Sequence, residues 1–230
     1  MGGFWIVQAE KRKEQAFLNE RTVIHKQDFL FGGVHDCLHL CIMTTTIYLV
    51  RHGETEENRL QILQGHLPGH LTPLGRQQAE ACAQQLENMH LAFDCILYSD
   101  LLRTHDTAEI INSHLHLPLY PCPLLRERDW GSFTGMPVIR ARKESIPDDA
   151  ESVEAMFHRA RLFLKFIKNR YEGKTILAVG HGLFNRTIQA ALQGVEIRDI
   201  PRMENAEVRC CRFETLPDGW GNKADMVSAD

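Results

Sequence analysis

Three places in this 230-residue chain set basic side chains where an apolar stretch gives way to a loop or helix. Arg51-His52-Gly53 follows Thr46-Ile47-Tyr48-Leu49-Val50, and Arg103 comes soon after Phe93–Tyr98. Gly180-His181-Gly182 closes Thr175–Val179. If the three stretches are neighbouring strands of one polarity, their carboxyl ends form one rim, the usual ligand site of an open α/β sheet. Two arginines and two histidines on such a rim suit a bound oxyanion, and the planar guanidinium fork matches phosphate in particular. A carboxylate, Glu127, stands in a loop punctuated by Gly131 and Gly135. Each residue alone also has a plainer explanation. Arg103 could pair with Asp100 or Asp106 on its helix surface, and Glu127 with Arg126 or Arg128.

The elements that would carry these groups are legible from pattern. Residues 46–50 combine β-branched, aromatic and aliphatic side chains, as in a strand buried on both faces, and Gly53 permits a sharp turn at its end. Glu56 to Leu71, with Gly65, Pro68 and Gly69, reads as a loop. Thr72 as N-cap and Pro73 at the first position begin a helix reaching about Met89. Phe93 to Tyr98 is a second strand. Ser99-Asp100 can cap the next helix, from about Leu101 to His114. Leu117 to Pro123 is a short extended piece bounded by prolines, and Met136 to Asp149 a polar connection. Val153, Met156, Phe157, Ala160, Leu164 and Ile167 share one face of a helix over 151–171. After strand Thr175–Val179, Leu183 to Leu192 forms a helix closed by Gly194, and Ala206 to Phe213 alternates as a last strand. Strands alternating with helices predict an α/β fold with a mostly parallel sheet.

Composition narrows the function class. A hydrophobic content of 43% over this length supports one domain with a polar tail. A formal charge of −4 argues against binding nucleic acid or an anionic membrane through bulk charge, while leaving room for a local basic pocket. Seven cysteines, two of them adjacent at Cys210-Cys211, suggest no disulfide framework and fit a reducing cytoplasm. No apolar run is long enough to span a bilayer. Met1 to Val7 is too short and wrongly flanked for a secretory signal, and Ile6 stands where a myristoylation site needs Ser or Thr.

Residues 1–42 read as an N-terminal extension, dispensable for activity, with a polar helix over 10–20 and a turn at Phe29–Gly33. His35, Cys37, His39 and Cys41 alternate, so on a strand they share a face but splay along it, which suits a tetrahedral metal poorly. The domain is expected over 43–216, followed by a polar tail, 217–230.

Read in order, the motifs resemble the histidine phosphatase superfamily, the phosphoglycerate mutase-like proteins. The matching segments are Leu49-Val50-Arg51-His52-Gly53-Glu54-Thr55 with Asn58, then Gln64-Gly65, then Leu71-Thr72-Pro73-Leu74-Gly75 with Gln78-Ala79. Ser99-Asp100-Leu101-Leu102-Arg103-Thr104 with Thr107-Ala108 follows, then Leu125-Arg126-Glu127 with Gly131 and Gly135, then Gly180-His181-Gly182. The resemblance runs from about residue 45 to 213. It implies a three-layer α/β/α fold and a phosphomonoesterase acting on a small phosphorylated metabolite, with no metal and no cofactor. In that family's terms His52 is the nucleophile that becomes a phosphohistidine. Arg51 and Arg103 clamp the phosphoryl oxygens, and His181 donates to them. Glu127 is the acid and base, a role that needs a raised pKa. Asn58, Gln64, Gly65 and Gly182 fall where the family touches phosphate or substrate.

The same residues serve hydrolysis and phosphoryl shuttling, so a cofactor-dependent phosphoglycerate mutase is the alternative, and a non-catalytic phosphoryl-binding protein another. The mutases carry a long insertion after the acid, whereas only Met136 to Ala150 intervenes here, which favours access of water and hydrolysis. Two departures bear on substrate: Pro147 to Ser152 lacks the family's glycine, and Pro68-Gly69-His70-Leu71 replaces an acidic residue and Pro-Leu-Thr. His66 and His70 could line the pocket mouth. Oligomeric state is not legible.

Overall fold

The computed structural model describes residues 44–214 and 216. The expectations for residues 1–42 and for the tail 217–230 lie outside the described residues. In chain order the elements are β1 (Thr45–Arg51), α1 (Glu56–Arg59), α2 (Pro73–Asn88), β2 (Cys95–Tyr98), α3 (Leu102–Leu115) and β3 (Leu119–Pro121). They continue with α4 (Val138–Ala141), α5 (Val153–Arg170), β4 (Thr175–Gly180), α6 (Gly182–Gln193) and β5 (Val208–Phe213).

The strands form one sheet in the order β3-β2-β4-β1-β5. β1, β2, β3 and β4 are parallel, and β5 runs antiparallel along β1. Successive strand side chains point to opposite faces, so each central strand feeds two cores. Ile47, Leu49, Leu97, Ile176 and Ala178 pack with Phe163, Leu164 and Ile167 of α5 and Phe184 and Ile188 of α6. On the other face, Tyr48, Val50, Ile96, Leu177 and Val179 meet Cys82, Ala83 and Leu86 of α2 and Ala108 and Ile111 of α3. The result is a three-layer α/β/α arrangement. No helix among the described residues is long and apolar enough to cross a membrane.

Thr72 caps α2 as its type suggests, its hydroxyl accepting from Gly75 N at 2.9 Å. Three other local expectations need correction. The stretch Glu56–Leu71 is not all loop, because a capping box starts α1. Thr55 Oγ1 accepts from Asn58 N, and Asn58 Oδ1 accepts from Thr55 N. The turn is polar throughout, so no apolar period announces it. Ser99 and Asp100 do not cap α3: Leu101 is the cap residue and offers no side-chain bond. Their side chains are engaged elsewhere, Ser99 with His181 and Asp100 with Arg126. The polar connection 136–149 contains the single turn α4.

Two glycines let α2 back onto the loop that leaves β1. A Cβ on Gly75 would lie 2.0 Å from Glu54 O, and one on Gly53 would lie 2.3 Å from Gly75 O. Both obstacles are backbone, which no rotamer change relieves. Gly75→Ala is therefore expected to lower unfolding free energy by about 2–4 kcal/mol in urea titration, while Gln77→Ala on the exposed side of α2 stays within about 0.5 kcal/mol. Equal midpoints for the two variants would refute the crossing as a constraint.

Candidate active site

Parallel register aligns the strand ends. Arg51 lies opposite Gly180, and Tyr98 opposite Val179, so the next residues, His52, His181 and Ser99, are neighbours. His52 N donates to Gly180 O and Ser99 N to Val179 O, each at 3.0 Å. The two histidine rings sit edge to face, with centroids 5.3 Å apart.

His52 is 3% exposed. Its Nδ1 lies 2.7 Å from Gly53 O. A carbonyl can only accept, so Nδ1 holds the proton and Nε2 keeps its lone pair. His181 is wholly buried, with Nε2 2.8 Å from Ser99 Oγ. Its Nδ1 has no hydrogen-bond partner among the described residues. Burial, then the charges of Arg103 and Arg51, hold His52 well below the ordinary histidine range. Burial and Arg103 also lead for His181, followed by His52, Arg159 and His66. Both rings are therefore kept neutral.

Arg103 is 1% exposed and forms no surface pair. Its Nη2 donates to Gly65 O at 2.8 Å and its Nη1 to Leu67 O and Pro68 O. Asp100 instead holds Arg126, and Asp106 faces Arg76 and His105. Burial lowers the Arg103 pKa to about 10, with Glu127 and Glu57 opposing. Arg51 is anchored by Nη1 on Met203 O at 2.6 Å. Gly182 allows it to pass, since a Cβ there would sit 3.2 Å from Arg51 Nε. The Nε atoms of Arg51 and Arg103 are both buried without a partner among the described residues.

Glu127 sits at the start of α6. Its carboxylate accepts from Arg128 N (2.9 Å), Phe184 N (3.1 Å) and Leu183 N (3.2 Å). Its loop is tied from behind by Arg159 of α5. Arg159 Nη1 donates to Leu124 O and Arg126 O, and the same guanidinium makes a two-pronged pair with Glu151 at 2.7 and 2.9 Å.

One cavity of about 430 Å³ gathers most of the expected residues. Arg51, His52, Asn58, Gln64, Gly65, Arg103, Glu127 and Gly182 all line it. His181 lies behind that lining, against His52. Asn58 also completes the cap of α1, and the buried Gln64 has an unpartnered Oε1. His66 does not line the cavity but reaches Glu127 O with Nε2 at 3.0 Å, and His70 is exposed on the surface. Among the described residues no three His, Cys, Asp or Glu side chains group so as to hold a metal ion.

Several contributors had no motif to point to them. Asn205 donates from Nδ2 to His52 O at 3.0 Å, and Met203 O holds Arg51. Both precede β5, and only the antiparallel return of that strand beside β1 brings them to the rim. Trp130, Arg186 and Arg202 also line the cavity. Arg159 acts through longer-range bonds that spacing does not reveal, and Ser99, although it opens one of the motifs, meets His181 in a bond that spacing does not reveal either.

The family described as the histidine phosphatase superfamily (branch 1) matches residues 47–224. Among curated relatives, the Bacillus subtilis "uncharacterized phosphatase PhoE" is 34% identical over 154 residues, covering 65% of this chain and 78% of that protein. Phosphoserine phosphatase 1 of Hydrogenobacter thermophilus is 31% identical over 166 residues, 66% of this chain and 77% of its own. Among solved structures, Bacillus stearothermophilus YhfR superposes with a TM-score of 0.67 at 30% identity, covering 72% of this chain and 90% of that one.

The two buried histidines make stability depend on pH. Their folded pKa values lie below the unfolded value near 6.5, so in the interval between them the unfolded chain binds more protons. This contribution is complete above about pH 6.5 and is lost as pH falls toward the folded values. His114, raised by Glu87 and Glu80, works in the opposite sense, so a variant must isolate the effect. The melting temperature in phosphate-free buffer should fall from pH 7.5 to 5.5, and His52→Gln should fall less steeply. An unchanged slope in the variant would clear His52 of the effect.

Proposed function

The chain belongs to the histidine phosphatase superfamily and hydrolyses phosphomonoesters, and from that premise we propose a role for each residue of the cavity. The observation that carries the reading is a set of buried donor atoms without partners among the described residues, on side chains that line the His52 cavity or lie against His52: Nε of Arg51, Nε of Arg103 and Nδ1 of His181. A buried donor left unmade costs about 1–3 kcal/mol, and more when charged. A tetrahedral phosphoryl group offers three oxygens to such donors. We assign Ser99 Oγ as the donor to His181 Nε2, which puts the proton of His181 on the unpartnered Nδ1, free for a phosphoryl oxygen.

His52 Nε2 attacks phosphorus while the P–O bond to the leaving group breaks. Glu127 gives that oxygen its proton. The phosphoryl then rests on His52. Glu127, now a carboxylate, takes a proton from water as the water oxygen attacks phosphorus and the P–N bond breaks. Inorganic phosphate and neutral His52 result, and Glu127 is again protonated. Through both steps the charge on the equatorial oxygens is met by positioned guanidinium groups, which supply the electrostatic stabilisation of a loose transition state. Asn58 and Gln64 orient the remainder of the substrate.

Hydrolysis rather than transfer is supported by the short cover over the cavity. Leu63 N donates to Met136 O and Gly135 N to Leu63 O, so the cover is a brief pairing of 61–63 with 135–138. The substrate is read as a small phosphorylated metabolite, as for the phosphoserine phosphatase among the relatives. Free thiols at Cys82, Cys95, Cys122, Cys210 and Cys211 support a cytoplasmic setting.

With EDTA present throughout, His52→Ala should lose at least about 10³-fold in p-nitrophenyl phosphate turnover, and acid-labile phosphate should label only the parent enzyme. Turnover within threefold of the parent would reject His52 as nucleophile. Glu127→Gln should slow alkyl phosphates much more than aryl phosphates whose leaving groups need no proton. Equal loss on both classes would remove Glu127 as the acid.

A further inference from the structure

Two loops meet at the rim, one supporting Arg103 and the other carrying Glu127. The carbonyls of Gly65 and Leu67, which accept from the Arg103 guanidinium, flank His66 in sequence. Gly65 is pressed against the acid loop, since a Cβ there would lie 3.4 Å from Trp130 Cδ1 and 3.5 Å from Arg128 O. His66 crosses the same seam with its side chain. Its Nε2 lies 3.0 Å from Glu127 O, the main-chain carbonyl of the acid itself, and its Nδ1 lies 3.8 Å from Asp129 Oδ2. Arg159 reaches the Glu127 carbonyl at 3.5 Å, so His66 makes the shorter bond to it.

Both ring nitrogens thus face acceptors. A carbonyl can only accept, so Nε2 carries a proton, and in the neutral ring Nδ1 turns a lone pair toward the Asp129 carboxylate. A second proton, on Nδ1, replaces that contact with charge-assisted attraction. The carboxylate is held in place to receive it, because Asp129 Oδ1 accepts from Gly131 N at 2.9 Å. The His66 side chain is 36% exposed, so solvent can supply the proton. The other charges around the ring are already engaged. Asp100, in the turn after β2, is bound by Arg126, which leads in holding its carboxyl below the ordinary range while His66 adds least. Arg103 is spent on the 65–68 carbonyls, and the Glu127 carboxylate on backbone N–H groups. His181 is kept neutral first by burial and Arg103, with His66 again the least cause.

We propose that His66 is a positioning residue that ties the loop holding Arg103 to the backbone of Glu127, and that gaining a proton tightens the tie through Asp129. This rests on the reading of Glu127 as the acid. His66 does not line the catalytic cavity, so it acts through the acid and not on the substrate. Without the tie, the Glu127 segment is free to drift from the leaving oxygen, and proton delivery suffers before phosphoryl binding does. Histidine is the side chain that ordinarily changes charge between about pH 5 and 8, so the tie is strongest in mild acid. Esters whose leaving oxygen needs a proton sense it, and aryl esters with good leaving groups sense it little.

The test uses the full chain and compares kcat/KM on n-propyl phosphate and on p-nitrophenyl phosphate. His66→Leu, which removes the donor, should lower the propyl value about 3- to 10-fold and the nitrophenyl value less than about twofold. His66→Gln, which keeps a donor but cannot take a charge, should recover most of that loss near about pH 8 and little of it near about pH 5.5. The ratio of parent to His66→Gln on the propyl ester should therefore rise toward acid, and Asp129→Asn should flatten the rise. His70→Asn, at an exposed histidine of the same loop, should match the parent at both pH values. Equal loss on both esters in His66→Leu, or no loss on the propyl ester, would overturn positioning through the acid. A ratio of parent to His66→Gln that stays constant with pH would overturn the tightening by protonation. If Glu127→Gln slows both esters alike, the reading of Glu127 beneath the proposal fails instead. A loss selective for the propyl ester in Glu127→Gln but absent in His66→Leu places the failure at His66 alone.

Discussion

A guanidinium with 1% of its residue exposed must be surrounded by acceptors, and much of the rim follows from that requirement at Arg103. No carboxylate among the described residues forms an ion pair with it. Carbonyls of Gly65, Leu67 and Pro68 accept from its two terminal nitrogens, which obliges the 65–68 loop to wrap the head of α3. Gly65, at φ +49, makes the backbone bend that turns its carbonyl inward. Gly69 clears the side chain's flank, since a Cβ there would lie 3.1 Å from Arg103 Cδ. Three of its five N–H groups are bonded to the loop, so Nε–H and one Nη2–H are what Arg103 has left to offer a ligand. Its charge is also a leading reason, after burial, that His52 and His181 stay unprotonated. Holding a cation beside a nucleophilic imidazole keeps the lone pair available.

The other constraint is the acid. Glu127 belongs to an irregular segment, and a loop carboxylate left to itself would sample many positions. Here it is fixed from both sides. Three backbone N–H groups receive the carboxylate, while Arg159 pins the carbonyls of Leu124 and Arg126 in the chain that leads up to it. Arg159 is itself held by Glu151, and its guanidinium lies 3.8 Å from the Phe184 ring centroid. α5 thereby reaches the reacting region without presenting a side chain to it, whereas α6 adds Leu183 and Arg186 to the cavity lining. The contribution of α5 is position, and a change at Arg159 would be felt through Glu127.

The frame was legible because it rests on local rules. Apolar runs of four to seven residues, the Thr72-Pro73 start and the 3.6-residue period of α5 each report the local environment of a few neighbours, and the structure follows them except at the head of α5, where Val153 is 42% exposed and the buried face takes in Phe163 instead. Arg51, His52, Arg103, Glu127 and His181 could be picked out because they stand next to strand ends or in one ordered motif set. Where reading failed, side chains were competing for partners far away in sequence. Ser99 has the type of an N-cap, but the hydroxyl of a residue at the end of β2 meets His181 at the end of β4, 82 positions on. That bond wins over the cap, and α3 begins without one. Asn205 and Met203 reach β1 only because β5 returns antiparallel, a topology no local pattern encodes. The α1 turn escaped notice for the opposite reason: its capping box is local, but four polar residues carry no hydrophobic period.

The start of α6 shows how charge is shared out at the rim. A helix N-terminus is a ready anion site, with free N–H groups and the positive end of the dipole. In this fold that place is taken by the protein's own anion, Glu127, whose carboxylate occupies the N–H groups of Leu183 and Phe184. Asn185 N is also spent, on His181 O. A phosphoryl ligand must then be held by side-chain cations, which explains why arginines from β1 and α3 are buried at some cost beside two histidines. The division separates two tasks that a single helix terminus could not perform together. Backbone dipoles position the group that moves protons, and guanidinium groups meet the charge that builds on the phosphoryl oxygens. A net charge of −4 over the whole chain conceals this, because a total does not register where the positive groups lie.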